Sequence, residues 1–346
     1  MDVLSAGSRA SDRVVGRRAS LSVVVPLYNE EAVLPDFHRR LAAVLDAIEA
    51  DAEIIYVNDG SRDGTMSLLT ELHDRDARVA VVELSRNFGK EVAMSAGLDA
   101  ASGDAIVVID ADLQDPPELI PQMISAWREG NDVVLMRRKT RAQESWLKKM
   151  TARAFYRAMG SIGTIDIPEN VGDFRLLSRR AAAALRQFPE RTRFMKGLFA
   201  WIGFPSTEIE YDRDGRFAGT TKWSYWRLWN FALEGITSFS VVPLKLASYA
   251  GLLTALIAFG YGIKVIVKTL LYGDPVAGYP TLVVLVLFLG GLQLMALGLI
   301  GEYLARMFIE VKQRPLYLVQ RHLRSAAPIA ASEESLPAHS PRWPLR

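Results

Sequence analysis

The chain of 346 residues has no cysteine, which excludes disulfides and thiolate zinc sites and gives no sign of an oxidising compartment. Histidine is scarce too. His38, His73, His322 and His339 stand at no metal-ligand spacing to one another and read as surface or incidental residues. Charge of one sign is also lacking. With 41 Lys and Arg against 39 Asp and Glu the formal net charge is +2, so charge alone implies no nucleic-acid partner. Residues 1–20 carry Arg9, Arg13, Arg17 and Arg18 but lack the apolar core of a signal peptide, and they read as a disordered basic arm. The tail, 312–346, is expected to be mostly disordered, since from about Ser325 it is rich in Ala, Pro and Ser.

What the chain does have is apolar sequence, unevenly spread. Half of all residues are hydrophobic, an ordinary share, yet 241–311 is far richer than the first 240. Two stretches, 241–271 and 281–304, are long enough to span a bilayer, and they exceed the usual length of buried core helices. The loop between them has no Lys or Arg. Lys222, Arg227 and Lys245 precede the first stretch, and Arg306, Lys312, Arg314, Arg321 and Arg324 follow the second. This asymmetry predicts two transmembrane helices within 241–311: a multi-pass protein of the inner (plasma) membrane, with both ends and the N-terminal domain cytoplasmic. Lys264 and Lys268 pull against it unless they snorkel to the outer headgroups. Trp223, Trp226 and Trp229, with Lys222 and Arg227, suggest amphipathic interface helices over 221–240. Gly290, Gly291, Gly298 and Gly301 offer small-residue faces for helix packing, hence an expected homo-oligomer.

The first 220 residues read differently. A β-branched run at 21–25, stopped by Pro26, is followed by apolar residues at helical spacing over 33–48. Further strands are expected at 53–57, 79–84, 105–109 and 132–136, with helices at 65–73, from Lys90 to about Ala101, and at 118–128. Residues 151–235 are mixed and mostly helical in pattern. The alternation predicts an α/β domain over 21–220 with a Rossmann-like, mostly parallel sheet covered on both faces. Ligands of such sheets bind beyond the carboxyl ends of the strands. Asn29 and Glu30, Asp59, Arg86 and Asn87, and Asp110 and Asp112 each follow the apolar run of a different strand. Any one such loop is an ordinary turn. Four converging on one rim make a site.

Within Asp110-Ala111-Asp112-Leu113-Gln114-Asp115-Pro116-Pro117-Glu118, two carboxylates two residues apart at a strand end suit one hard cation, Mg²⁺ or Mn²⁺. Gln114 is a further oxygen ligand. A bare Asp-x-Asp is common by chance, and a helix-capping Asp before Pro-Pro-Glu is the bland alternative.

Four segments together are more specific. Val24-Val25-Pro26-Leu27-Tyr28-Asn29-Glu30, Asn58-Asp59-Gly60-Ser61-Arg62-Asp63-Gly64-Thr65, Ser85-Arg86-Asn87-Phe88-Gly89-Lys90 and the 110–118 segment resemble inverting family-2 glycosyltransferases with the GT-A fold. The combination is similar to their polyprenyl-phosphate branch, which includes dolichol-phosphate mannose synthases and undecaprenyl-phosphate glucosyltransferases. The resemblance covers about 21–320. Asn58 departs from it, standing where the family often has Asp. It implies that Pro26, Tyr28, Asn29, Glu30 and Asp59 hold the nucleoside, that Asp110 faces the nucleotide sugar, and that Asp110, Asp112 and Gln114 hold the metal. Gly172-Asp173-Phe174-Arg175-Leu176 resembles the acceptor-loop motif, the segment around Lys196 a downstream basic motif, and Gly219-Thr220-Thr221-Lys222-Trp223 the lead into the membrane.

The implied acceptor is a polyprenyl phosphate: undecaprenyl phosphate in bacteria, or dolichyl phosphate. Its head needs cations, and Arg138, Arg175 and Lys196 are candidates, with Arg137 an equal competitor of Arg138. Catalytic roles fall to Asp112 and Asp173. As a phosphate monoester is largely dianionic at neutral pH, with a second pKa of ~6, Asp173 has little proton to remove and serves as a base or as an orienting group. The expected donor is UDP-glucose or another UDP-hexose. A single displacement would invert the anomeric centre. A processive polysaccharide synthase is disfavoured: Arg342-Trp343 lacks the Gln of its Gln-x-x-Arg-Trp motif. A transferase acting on another membrane lipid, and a non-catalytic nucleotide-sugar-binding protein, remain as alternatives.

Overall fold

The computed structural model describes residues 19–48, 50–139, 171–188, 190, 191, 193, 195–212, 242–272 and 278–326. Expectations for the basic arm, the interface helices at 221–240 and the tail beyond 326 lie outside these.

Eight strands form one sheet in the order β7-β5-β6-β4-β1-β2-β3-β8. The strands are β1 Ser20–Leu27, β2 Asp51–Asn58, β3 Val79–Leu84, β4 Ala105–Val108, β5 Val133–Arg138, β6 Val171–Ser178, β7 Ser206–Tyr211 and β8 Val319–Leu323. β1 pairs in parallel with β2 and β4, β2 with β3, and β5 with β7. Only β6 and β8 run against the rest. Pro26 does not stop β1 as its sequence suggested: it stays in register with Val57 and the strand runs on to Leu27.

Side chains of β1 alternate between two apolar layers. Val23 and Val25 join Tyr56 under α1 (Leu34–Asp46), α2 (Thr65–Arg75) and α4 (Ile120–Arg128). Val24 joins Ile55 and Val57 under α3 (Lys90–Ala100), α5 (Arg179–Arg186) and α6 (Met195–Trp201). α1 shows how the sequence makes its element: Leu34, Phe37, Leu41 and Leu45, three or four apart, are its buried face.

Two differences from the sequence reading bear on the site. The region expected to be mostly helical contributes β6 and β7, and the tail expected to be mostly disordered contributes β8. His38 is also more than incidental: its Nδ1 lies 3.0 Å from the Tyr56 hydroxyl.

Two long helices follow, α7 (Val242–Tyr272) and α8 (Tyr279–Val311). They pack against each other, and so short a connection makes them antiparallel. In α8, Phe288–Val311 is long and apolar enough to cross a membrane, whereas the shorter apolar part of α7 is Gly251–Tyr261.

Candidate active site

The rim is built by the loops leaving β1, β2, β3 and β4. Asn29 adopts a left-handed φ of 55°. Its amide N–H donates to Ser61 Oγ at 3.0 Å and its side-chain oxygen accepts from the Arg62 amide at 2.8 Å. The Glu30 amide donates to Thr65 Oγ1 at 3.0 Å. The loop after β1 is thus stitched to the loop after β2. Tyr28 stands 42% exposed on this rim, an aromatic face open to a ligand.

Asp59 is buried, and both its oxygens hold the next loop: they accept the Phe88 amide N–H at 2.7 Å and that of Gly89 at 2.9 Å. Burial raises its pKa, and those two N–H donors work against the rise. Asn58, the residue departing from the family pattern, accepts the Ser61 amide N–H on its side-chain oxygen at 3.1 Å, a turn contact open to Asn and Asp alike. Gly60, at φ 65°, lies so close to the same loop that a Cβ would come 2.5 Å from the Arg86 carbonyl carbon. Only glycine fits there.

At the end of β4 the ladder with β6 brings the central carboxylates together. Register runs from Ala105 opposite Ser178 to Val108 opposite Arg175. Continued by two residues it sets Asp110 opposite Asp173. Lys90, on the first turn of α3, spans them: its ammonium donates to Asp110 at 2.7 Å and to Asp173 at 2.5 Å. Burial opposes charge on Lys90, but the two carboxylates outweigh it and raise its pKa. Asp110 is raised by burial, partly offset by Lys90 and reinforced by Asp173. The sequence motif around Lys90 gives it no role of its own. Its position one residue past a loop glycine, at a helix start on the rim, was the available signal.

Beyond Asp110 the chain turns sharply, with Leu113 at φ 58°. Asp112 Oδ1 accepts the Gln114 amide N–H at 3.1 Å, and Gln114 itself is buried. Among the described residues no three carboxylate or imidazole groups form a complete metal cage. The arrangement fits a cation held by one or two carboxylates and completed by donor phosphates. Asp173 and Asp115 add negative charge around Asp110, against the ammonium of Lys90.

The cations separate into distinct settings. Side chains alternate along β5, so Arg137 pairs with Glu208 at 2.9 Å, while Arg138 reaches the Tyr211 hydroxyl at 3.4 Å and lies 3.9 Å from buried Asp115. The competition between the two arginines is settled by strand alternation: Arg138 faces the site. Burial works against its charge, but Tyr211 and Asp115 raise its pKa. Arg175 is 2% exposed, donates to the Gly172 carbonyl at 2.6 Å and stacks 3.7 Å from the Phe199 ring centroid. Burial lowers its pKa to about 10, so it stays charged at neutral pH. It braces the Gly172–Asp173 backbone from below. The side chain of Lys196 lies outside what is described.

The carboxylate cluster lies at the carboxyl edge of a doubly covered sheet, where such sheets bind their ligands. Residues 22–186 match the model for Glycosyl transferase family 2, and residues 242–307 match that for the GtrB C-terminal hairpin. The chain is 52% identical over 299 residues to an uncharacterized glycosyltransferase of Synechocystis, covering 86% of this chain and 94% of that one. It is 47% identical over 304 residues to the SfII prophage-derived bactoprenol glucosyl transferase of Shigella flexneri, covering 88% and 98%. Among solved structures, glucosyl-3-phosphoglycerate synthase from Mycobacterium tuberculosis in complex with Mn²⁺, UDP-glucose and phosphoglyceric acid matches with a TM-score of 0.42 and 20% identity, over 63% of this chain and 78% of that one. The chain belongs to glycosyl transferase family 2 and is a glycosyltransferase. Its similarity to the bactoprenol glucosyl transferases runs through both the sheet domain and the helical hairpin.

Proposed function

We propose that the protein transfers a glucosyl group, or another hexosyl group, from its UDP donor to undecaprenyl phosphate at the cytoplasmic face of the membrane, with inversion. The observation that carries this is the Asp110–Lys90–Asp173 cluster, placed on a domain that continues into a long apolar hairpin. Similarity to bactoprenol glucosyl transferases supports the acceptor class.

The roles proposed for the rim residues are these. Tyr28, with Pro26, Asn29 and Glu30 beside it, offers the nucleoside an aromatic face and backbone groups. Asp59 holds the loop that completes this wall, and each of its oxygens keeps a lone pair for the donor. Asp110, Asp112 and Gln114 would hold Mg²⁺ or Mn²⁺ together with the diphosphate. Such an ion supplies charge neutralisation at the leaving diphosphate. Asp173, held by the Lys90 ammonium, orients the acceptor, whose phosphate is already a nucleophile. Arg138 and Lys196 receive that phosphate, and Arg175 supports the strand that presents Asp173.

Two membrane spans, α7 and α8, fit the exposure of their side chains. Leu252, Leu256, Phe259, Leu294 and Met295 are all at least 60% exposed, an apolar surface suited to lipid rather than water. Stacking of a second copy on this surface is the corresponding reading for an oligomer.

The test is incubation of the detergent-solubilised protein with undecaprenyl phosphate and labelled UDP- and GDP-sugars, with Mg²⁺, Mn²⁺ or EDTA. Label is expected in the lipid fraction, abolished by EDTA and reduced roughly 100-fold by Asp112→Ala, the scale of losing one electrostatic group in a transfer site. Bound donor with no labelled polyprenyl lipid would rule out this acceptor and direct the search to glycerolipids.

A further inference from the structure

Away from the rim, a cavity of about 240 Å³ opens where α8 ends. Gln313, at a left-handed φ of 45°, ends the helix and turns the chain, so that residues 314–316 line the cavity together with the last turn of α8. Three cationic residues line it from two parts of the fold: Arg191 from the segment between α5 and α6, and Lys312 and Arg314 from the end of α8. Phe308, Ile309 and Leu316 supply apolar wall. The backbone at Arg191 is tied to α8, since its amide N–H donates to Glu310 Oε1 at 2.8 Å. The Lys312 ammonium lies 4.0 Å from the Phe308 ring centroid. Among the described residues none of the three cations has a carboxylate within ion-pair distance. A helix C-terminus attracts cations unaided, which accounts for Lys312 but not for Arg191, contributed by another element.

We infer that this cavity seats the phosphate of an anionic membrane lipid, with the cations on the phosphate and Phe308 and Ile309 against the first acyl carbons. The position suits the ligand: the apolar stretch of α8 ends at Val311, one residue before the first tail cation. Basic groups just outside a membrane span meet anionic headgroups at that level. The inference rests on the reading of α8 as a membrane span. It gives the protein a lipid contact separate from the Asp110 rim, one that would fix how the catalytic domain sits over the bilayer.

The experiment titrates the full-length protein in detergent with phosphatidylglycerol or phosphatidylcholine and counts retained lipid by native mass spectrometry. Phosphatidylglycerol should be retained preferentially. The double variant Lys312→Ala/Arg314→Ala should weaken its retention at least about tenfold, from about 1 kcal/mol for each basic group at the surface. Arg191→Gln, remote in sequence, should act in the same direction, and both variants should keep the wild-type melting temperature. Equal retention of the two lipids, or no loss in either variant, overturns the inference. Displacement by millimolar inorganic phosphate would identify a free-phosphate site instead, and a raised KM for undecaprenyl phosphate in the variants would assign the cavity to the acceptor. Recovery of the protein without detergent would overturn the membrane reading itself. A detergent-requiring protein indifferent to lipid charge overturns only this proposal.

Discussion

Lys90 is the residue on which the rim turns. Its ammonium is the shared partner of two carboxylates brought face to face by the β4–β6 register, so removing it leaves Asp110 and Asp173 repelling each other. Lys90→Met keeps the length and loses the charge. We expect kcat/KM for the donor to fall about 10- to 100-fold, the equivalent of one hydrogen bond to a charged group. Initial rates over a range of donor concentrations check this, and an unchanged rate would mean the ammonium only fills space between carboxylates. Of the residues implied by the family resemblance, Asp110 and Asp173 are brought to one cation, and Arg138 faces them across Asp115. Arg175 lies beneath the site rather than on its surface. No pattern in one sequence distinguishes a buried arginine from an exposed one, since both sit between apolar neighbours in a strand.

At the scale of elements, α3 decides how closely the Lys90 loop approaches the sheet. Gly97 lies on its buried face, where a Cβ would come 2.2 Å from Val24 Cγ1 and 3.0 Å from Val57 Cγ2. Gly97→Ala should therefore destabilise the domain by about 1–3 kcal/mol despite the better helix propensity of alanine, because overpacking in a tight core outweighs it. Chemical denaturation reads the loss directly, and a stabilised variant would show that α3 can shift outward. The first five strands and the helices between them were legible because apolar runs and turn residues punctuate them. β6 was not, since its buried residues Val171, Phe174, Leu176 and Leu177 follow no clean period of two. β7 alternates, with Glu208 and Glu210 outward, yet is only six residues long. Both strands carry site residues: Asp173 was located only by resemblance, and Tyr211 was missed.

The whole molecule is tied across its sheet. The chain leaves the domain after β7 at one edge and, after the hairpin, returns as β8 at the other, beside β3. There the Ser85 amide donates to the Leu318 carbonyl at 2.9 Å, the Tyr317 hydroxyl donates to Asp99 at 2.9 Å, and Arg321 lies 3.5 Å from Glu83. The returning strand covers an edge that would otherwise offer unpaired backbone to other chains. Truncation after Leu316 should lower the melting temperature and broaden the size-exclusion peak in detergent through edge-to-edge association. A monodisperse truncated protein of unchanged stability would show that β3 needs no cover. The sequence by itself determined the alternating sheet domain, the carboxylate motif on its rim and the apolar C-terminal stretches, because each is written in local periodicity or in adjacent residues. Tertiary structure alone decided that Lys90 joins Asp110 to Asp173, that Arg138 rather than Arg137 faces the site, and that the tail returns as an edge strand beside β3. These depend on register and on pairing between segments far apart in the chain, and no local pattern encodes them.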